Sequence, residues 1–208
     1  MRSRSRFLGF GAALTLGATL IVLATLAAAA PGPAQHVRWD IISLVGGSLP
    51  GPINPGGYAD AKAPDNTYIR LTGSGTFVAP GGGNGGSGAA TGGGTWKTYS
   101  GIPSPATLTA SGTYEVTELA SWEFANFQAE VGFIDNIDEG RRANGTAVLK
   151  ITFSDGSQGV LTVGCHGPGA PPGIFEGIAT TKGHKTYYDV QPPQGGVDAN
   201  RTIFHVRQ

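Results

Sequence analysis

Apolar and polar residues alternate with a period of two along most of the chain beyond residue 34. Val37, Trp39 and Ile41 share one face and Arg38 and Asp40 the other, the pattern of a half-buried strand. Ile69, Leu71 and Phe77 keep one parity across Gly73 and Gly75, while Tyr68, Arg70, Thr72 and Thr76 face the other way. From Thr113 onward, Tyr114, Val116, Ala120, Trp122 and Phe124 fall on one side, and Glu118 falls on that same apolar side. An unpaired buried carboxylate is costly, so the pattern predicts a β-bulge near Glu118 that shifts the register. Residues 119–131 also fit a short helix.

The clearest local signal is Asp155-Gly156 between two apolar runs from Ala147 to Cys165. A two-residue turn would put Leu149 and Ile151 on the opposite face from Leu161 and Val163. A three-residue loop, Ser154-Asp155-Gly156 with Gly156 left-handed, pairs Leu149 with Leu161 and Ala147 with Val163, and so gathers both apolar sets on one face. That register turns Cys165 into the core and His166 outward. The last strand turns Phe204 and Val206 inward and His205 outward.

Strands are expected near 37–44, 67–78, 95–99, 112–124, 146–153, 159–166, 174–181 and 202–207, separated by a Gly-rich loop at 79–95 and a Pro-rich one at 167–173. Many short strands with Gly and Pro turns predict an all-β fold: an antiparallel sandwich or flattened barrel of about eight strands in one domain, 35–208.

The segment before this domain has a different character. Arg2, Arg4 and Arg6 precede an uncharged run over residues 7–30, the charged and apolar regions of an export signal. The expectation is a signal peptide over 1–34, cleaved after Gly32-Pro33-Ala34; the alternative is an uncleaved membrane anchor over 7–30. Both place residues 35–208 outside the cytoplasm, secreted, periplasmic or in the cell envelope.

Composition then narrows the chemistry. Only 13% of residues are charged, Lys plus Arg equal Asp plus Glu, and removal of 1–34 leaves a net charge of −3. No basic stripe for nucleic acid is present, and the membrane is a partner only if the N-terminal segment stays uncleaved. One Cys closes no intramolecular disulfide. The four His have no metal-ligand spacing, so no metal and no cofactor is expected. Asp135, Asp138 and Glu139 beside Arg141 and Arg142 read as a solvated turn with local ion pairing. Trp39 and Trp122 alternate with aliphatic residues and read as core; Trp96, at the edge of the Gly-rich loop, is the candidate exposed aromatic contact.

The stiff 167–173 loop begins beside His166 and precedes Phe175-Glu176, which makes His166, Glu176 and His184 the candidate polar groups of a pocket. The strings Ser154-Asp155-Gly156-Ser157, Gly159-Val160-Leu161, Cys165-His166, Ile174-Phe175-Glu176-Gly177-Ile178 and Asp198-Ala199-Asn200-Arg201-Thr202 resemble a group of bacterial secreted proteins with no assigned activity. That resemblance implies export and no particular chemistry. The functional expectation is a non-enzymatic exported β-domain that binds a ligand or an envelope component. The alternative is an extracytoplasmic hydrolase or lyase for a carbohydrate or small ester, using Glu176 or Asp189 with His166 or His184.

Overall fold

Alternation becomes thirteen strands among the residues that the computed structural model describes, 34–44, 51–79, 89–100, 106–132, 134–193 and 198–207. They are β1 (Gln35–Leu44), β2 (Ile53–Pro55), β3 (Ala59–Lys62), β4 (Tyr68–Leu71), β5 (Ser74–Ala79), β6 (Ala90–Ser100), β7 (Thr107–Phe127), β8 (Arg141–Phe153), β9 (Gln158–Cys165), β10 (Gly177–Lys182), β11 (Lys185–Tyr187), β12 (Asp189–Val190) and β13 (Arg201–Arg207). No helix occurs among the described residues. Residues 1–33, on which the signal and anchor readings fall, and 80–88 of the expected Gly-rich loop lie outside them.

Six strands close an antiparallel barrel in the order β1, β13, β8, β7, β6, β5 and back to β1. The fold is all-β as expected, with thirteen strands instead of about eight. Four of the additional strands, β2, β3, β11 and β12, have two to four residues, too few for alternation to register. The fifth arises because the run at 67–78 breaks at Thr72-Gly73 into β4 and β5.

The barrel interior is built from the inward parity of each strand. Phe204 packs edge-on against Trp122 at 4.6 Å, and Phe77 meets Trp122 at 5.4 Å and Phe204 at 6.4 Å. Trp39 is fully buried. Its cross-strand neighbour on β5 is Gly75, where a Cβ would lie 2.8 Å from Trp39 Nε1 and 2.1 Å from the Thr91 carbonyl oxygen. Only a residue without a side chain lets β5 and β6 close over that indole.

The long strand β7 is extended through Phe127, which removes the helical reading of 119–131. Its register against β8 shifts between Val116 and Glu118, again between Leu119 and Ser121, and again between Phe124 and Asn126. The first shift is the bulge expected near Glu118: it turns Leu119 inward, fully buried, and frees Glu118 to pair with Lys150 at 2.8 Å. Ala120 therefore leaves the inward set, and Trp122 is half-buried. The β8–β9 hairpin has the three-residue loop, with Leu149 opposite Leu161, Ala147 opposite Val163 and Gly156 at φ +84°. Cys165 is buried, as its parity requires.

His205 does point out of the barrel, but that outer face is covered. β2 pairs with β1, and Ile53 bridges in parallel to Asp135, which lays residues 134–140 across β1 and β13. Beneath them Ile42, Leu44, Ile53 and Ile203 form a second apolar cluster with Ile137 against it. Of the acidic residues expected in a solvated turn, Asp138 is exposed, but Asp135 and Glu139 make long-range pairs instead. Asp135 accepts from His205 Nε2 at 2.8 Å, and Glu139 accepts from Arg38 at 2.5 Å, while Arg38 also holds fully buried Asp40 through two bonds of 2.7 and 2.8 Å. Arg141 does not join them; it stacks on Phe127 at 3.6 Å.

Gly75→Ala should lower stability by about 3 kcal/mol, the upper end for overpacking a core, whereas Gly132→Ala, where a Cβ would meet nothing within 4 Å, should change it little. Urea unfolding of the two variants checks this; equal stabilities would mean that β5 does not crowd Trp39.

Candidate functional site

Beyond the barrel, the second half of β6 pairs with β4, β4 with β3, and β3 with β12. The inward positions of this sheet are small or apolar: Ala59, Ala61, Ile69, Leu71 and Trp96 are all buried. The alanines let β10 pack against β3. The outward positions carry the chemistry. Register sets Tyr68 opposite Tyr99, and Arg70 between Asp60 and Lys97.

Arg70 is the centre of the arrangement. Its Nε and Nη2 donate to the two carboxylate oxygens of Asp60 at 2.7 and 2.8 Å. The Tyr58 ring lies over its guanidinium at 3.8 Å, and the Tyr99 ring stands 5.7 Å away. The Asp60 hydrogen bonds raise the guanidinium above its already high ordinary value, so it is fully charged. A fork held by two bonds and an aromatic face has little rotamer freedom left to lose.

A second segment walls this floor into an open cleft of about 410 Å³, lined by Tyr58, Asp60, Tyr68, Arg70 and Tyr99 on one side and by Gln191, Pro192, Ala199 and Asn200 on the other. Asn200, at φ +59°, is the clamp between the two sides. Its Oδ1 accepts from the Asp60 main-chain N–H at 2.5 Å, and its own N–H donates to the Tyr58 carbonyl at 2.8 Å. Asn is among the few side-chain residues that tolerate this left-handed backbone. Asp198 fixes the same segment to β1, accepting from Leu44 N at 2.5 Å and from the Ser43 hydroxyl. Tyr68 Oη donates to Gln191 Oε1 at 3.4 Å across the cleft. Aromatic walls with a few fixed polar groups, at this volume, are what small-molecule sites present.

Comparison with protein-family models, with curated proteins and with solved structures finds no match for this chain.

The residues singled out from sequence lie elsewhere. His166 and Glu176 do meet, but through the main chain: one Glu176 oxygen accepts from His166 N at 2.6 Å and the other from Thr202 N at 2.8 Å. The carboxylate thus ties the end of β9 to the start of β13. The His166 ring bonds the Ile174 carbonyl at 2.8 Å, which can only accept, so Nδ1 carries the proton. The space beside them, about 40 Å³ between Glu176, Cys165, Gln128 and Ile203, is near the size of one water. His184 is exposed in the β10–β11 turn, at the other end of β10 from Glu176, and Asp189 pairs with Lys62 at 2.9 Å.

Trp96 is buried, contrary to the exposed contact expected of it. It points inward opposite Leu71, packs edge-on to Phe153 at 5.9 Å, donates from Nε1 to the Thr113 carbonyl at 3.1 Å, and is covered by Lys182 Nζ at 4.3 Å. The physical reason is that β6 begins at Ala90, so the glycines at 92–94 are strand, and Trp96 sits well inside the sheet. Among the described residues no group of three His, Cys, Asp or Glu is placed to hold a metal. The cleft residues escaped the sequence reading because β3 is too short to show; the available signal was two tyrosines, Tyr68 and Tyr99, on outward strand positions.

Burial pushes the Glu176 carboxyl up to about 7, against the pull of the Thr202 and His166 N–H groups. A carboxyl raised on folding stabilises the native state while protonated: the contribution is complete below the ordinary value of about 4.3 and is lost as pH rises towards 7. Side-chain carbon NMR should find the Glu176 midpoint near 7 in the native protein; a midpoint in the ordinary range would show that the carboxyl is solvated.

Proposed function

We propose that the protein is an exported, non-enzymatic ligand-binding β-domain whose binding site is the tyrosine cleft on the outer face of β3, β4 and β6. The observation that carries this reading is the preorganised Tyr58–Arg70–Asp60 stack, ordered before any ligand arrives. Binding is favoured by such rigidity, because the cost of ordering side chains has already been met in folding. Export rests on the arginines ahead of the uncharged run at 7–30. The finer sequence resemblance to secreted bacterial proteins agrees with it.

A binding role is favoured over hydrolysis by the state of the carboxylates. Among the described residues Asp60 is the one carboxylate lining the cleft, and both its oxygens bond Arg70. Sugar hydrolysis needs two carboxyl groups facing one bond. Glu176, the earlier candidate, spends both oxygens on main-chain N–H groups.

Saturation-transfer NMR screening of a chemically mixed fragment library against the native chain and Tyr99→Ala tests the reading. Fragments should bind the native protein weakly and lose at least tenfold in affinity with the variant. Fragments that bind both proteins equally, or none that bind, would contradict a site in this cleft.

A further inference from the structure

Charge is balanced among the residues that line the cleft, and on the face beyond it the cation Lys97, opposite Arg70, is matched by the anion Glu115, opposite Gly93. Arg70 is a cation seated on an aromatic face, and Asp60 is its counter-ion. A cationic ligand finds its aromatic seat occupied by a like charge, and an anionic ligand finds the Nε and Nη2 donors spent on Asp60. What the site still offers is tyrosine faces and hydroxyls, the Asn200 amide and the Nη1 edge of Arg70, whose charge Asp60 balances. Leu108, 52% exposed, stands opposite Tyr99 on β7 and leaves apolar surface beside the cleft. Flat aromatic and apolar surfaces flanked by hydroxyl and amide groups fit a ring with C–H faces and equatorial hydroxyls.

The same outward face continues away from the cleft as a field of hydroxyls. Thr72 and Thr95 share a hydrogen bond of 2.8 Å, Thr76 and Thr91 one of 3.0 Å, and Thr113 lies opposite Thr95. Thr76, Thr91, Thr95 and Thr113 are exposed. From Tyr99 back to Thr91 the strand rises through eight residue steps, roughly 26 Å at about 3.3 Å per residue. The threonines are held in register by one another, so a chain laid along them meets hydroxyls whose positions are fixed in advance.

We infer that the ligand is a neutral oligosaccharide, with one sugar ring against Tyr68 and Tyr99 and the following units lying along the threonine face. This rests on the reading of the tyrosine cleft as the binding site. Isothermal titration of the native chain with cello-, xylo-, laminari- and N-acetylchito-oligosaccharides of two to six units, and with hexagalacturonate as the charged probe, tests it. At least one neutral series should bind, with the hexamer at least tenfold tighter than the dimer and hexagalacturonate weaker than that hexamer. Thr72→Val and Thr95→Val together, which keep shape and remove hydroxyls, should weaken the hexamer at least fivefold and the dimer by a smaller factor. Equal binding of dimer and hexamer, or tighter binding of hexagalacturonate, would overturn the inference. If no saccharide binds while screening fragments still lose affinity in Tyr99→Ala, the oligosaccharide falls and the cleft stands; if neither binds, both fall.

Discussion

Closure of the barrel through β1 is the constraint on which the rest of the structure depends. β1 is hydrogen-bonded along one edge to β13 and along the other to β5, with β2 taking over where β5 ends. The strand that opens the described chain is thereby locked between the last strand and one from the middle. Trp39 stands at the crossing, fully buried, with Gly75 against it. Its Nε1 has no hydrogen-bond partner among the described residues, a cost of about 1–3 kcal/mol that burial of the large ring offsets. On the outer side, Asp40 and His205 are fully buried beneath Arg38 and the 134–140 segment, so most of β1 is covered on both faces and His36 is left exposed near its start.

That closure decides where a site can form. With six strands committed to the barrel, β6 runs past β5 and offers its second half to β4, and the small sheet of β4, β3 and β12 grows outward from there. Its inner face joins the main core, leaving only its outer face for chemistry. The segment entering β13 must pass along this face before it joins the barrel, and Asp198 and Asn200 pin it on both sides. The cleft wall is therefore a by-product of how the chain returns to close the barrel. The Asp60–Arg70 pair gains its rigidity from the same source, because Asn200 holds the main chain of Asp60.

Much of the barrel was legible in the sequence because alternation reports burial directly. Leu149 opposite Leu161, the inward Cys165 and the bulge at Glu118 all follow from the rule that apolar residues share a face and carboxylates avoid it. The same rule could not see β3 or β12, whose few residues carry no period, and it treated Trp96 as loop-edge because glycines normally interrupt strands. The site was less legible than the fold. His166 and Glu176 stand out in the sequence through their setting between Pro and Gly, yet that setting serves to tie two strand ends together. Tyr58, Arg70, Tyr99 and Asn200 look like ordinary outward or turn residues, and only the pairing of β3 with β4 and of β4 with β6 brings them into one place.

In the proposed function the outer face of β3, β4 and β6 is the recognition surface and the His166–Glu176 corner is a structural tie. Amide chemical-shift mapping during titration with the tightest-binding hexasaccharide addresses it most directly. Shifts are expected at Tyr58, Asp60, Arg70, Tyr99 and Asn200 and should continue through Thr95 towards Thr91. Shifts concentrated at His166, Gly167 and Glu176, with the tyrosine face silent, would contradict it.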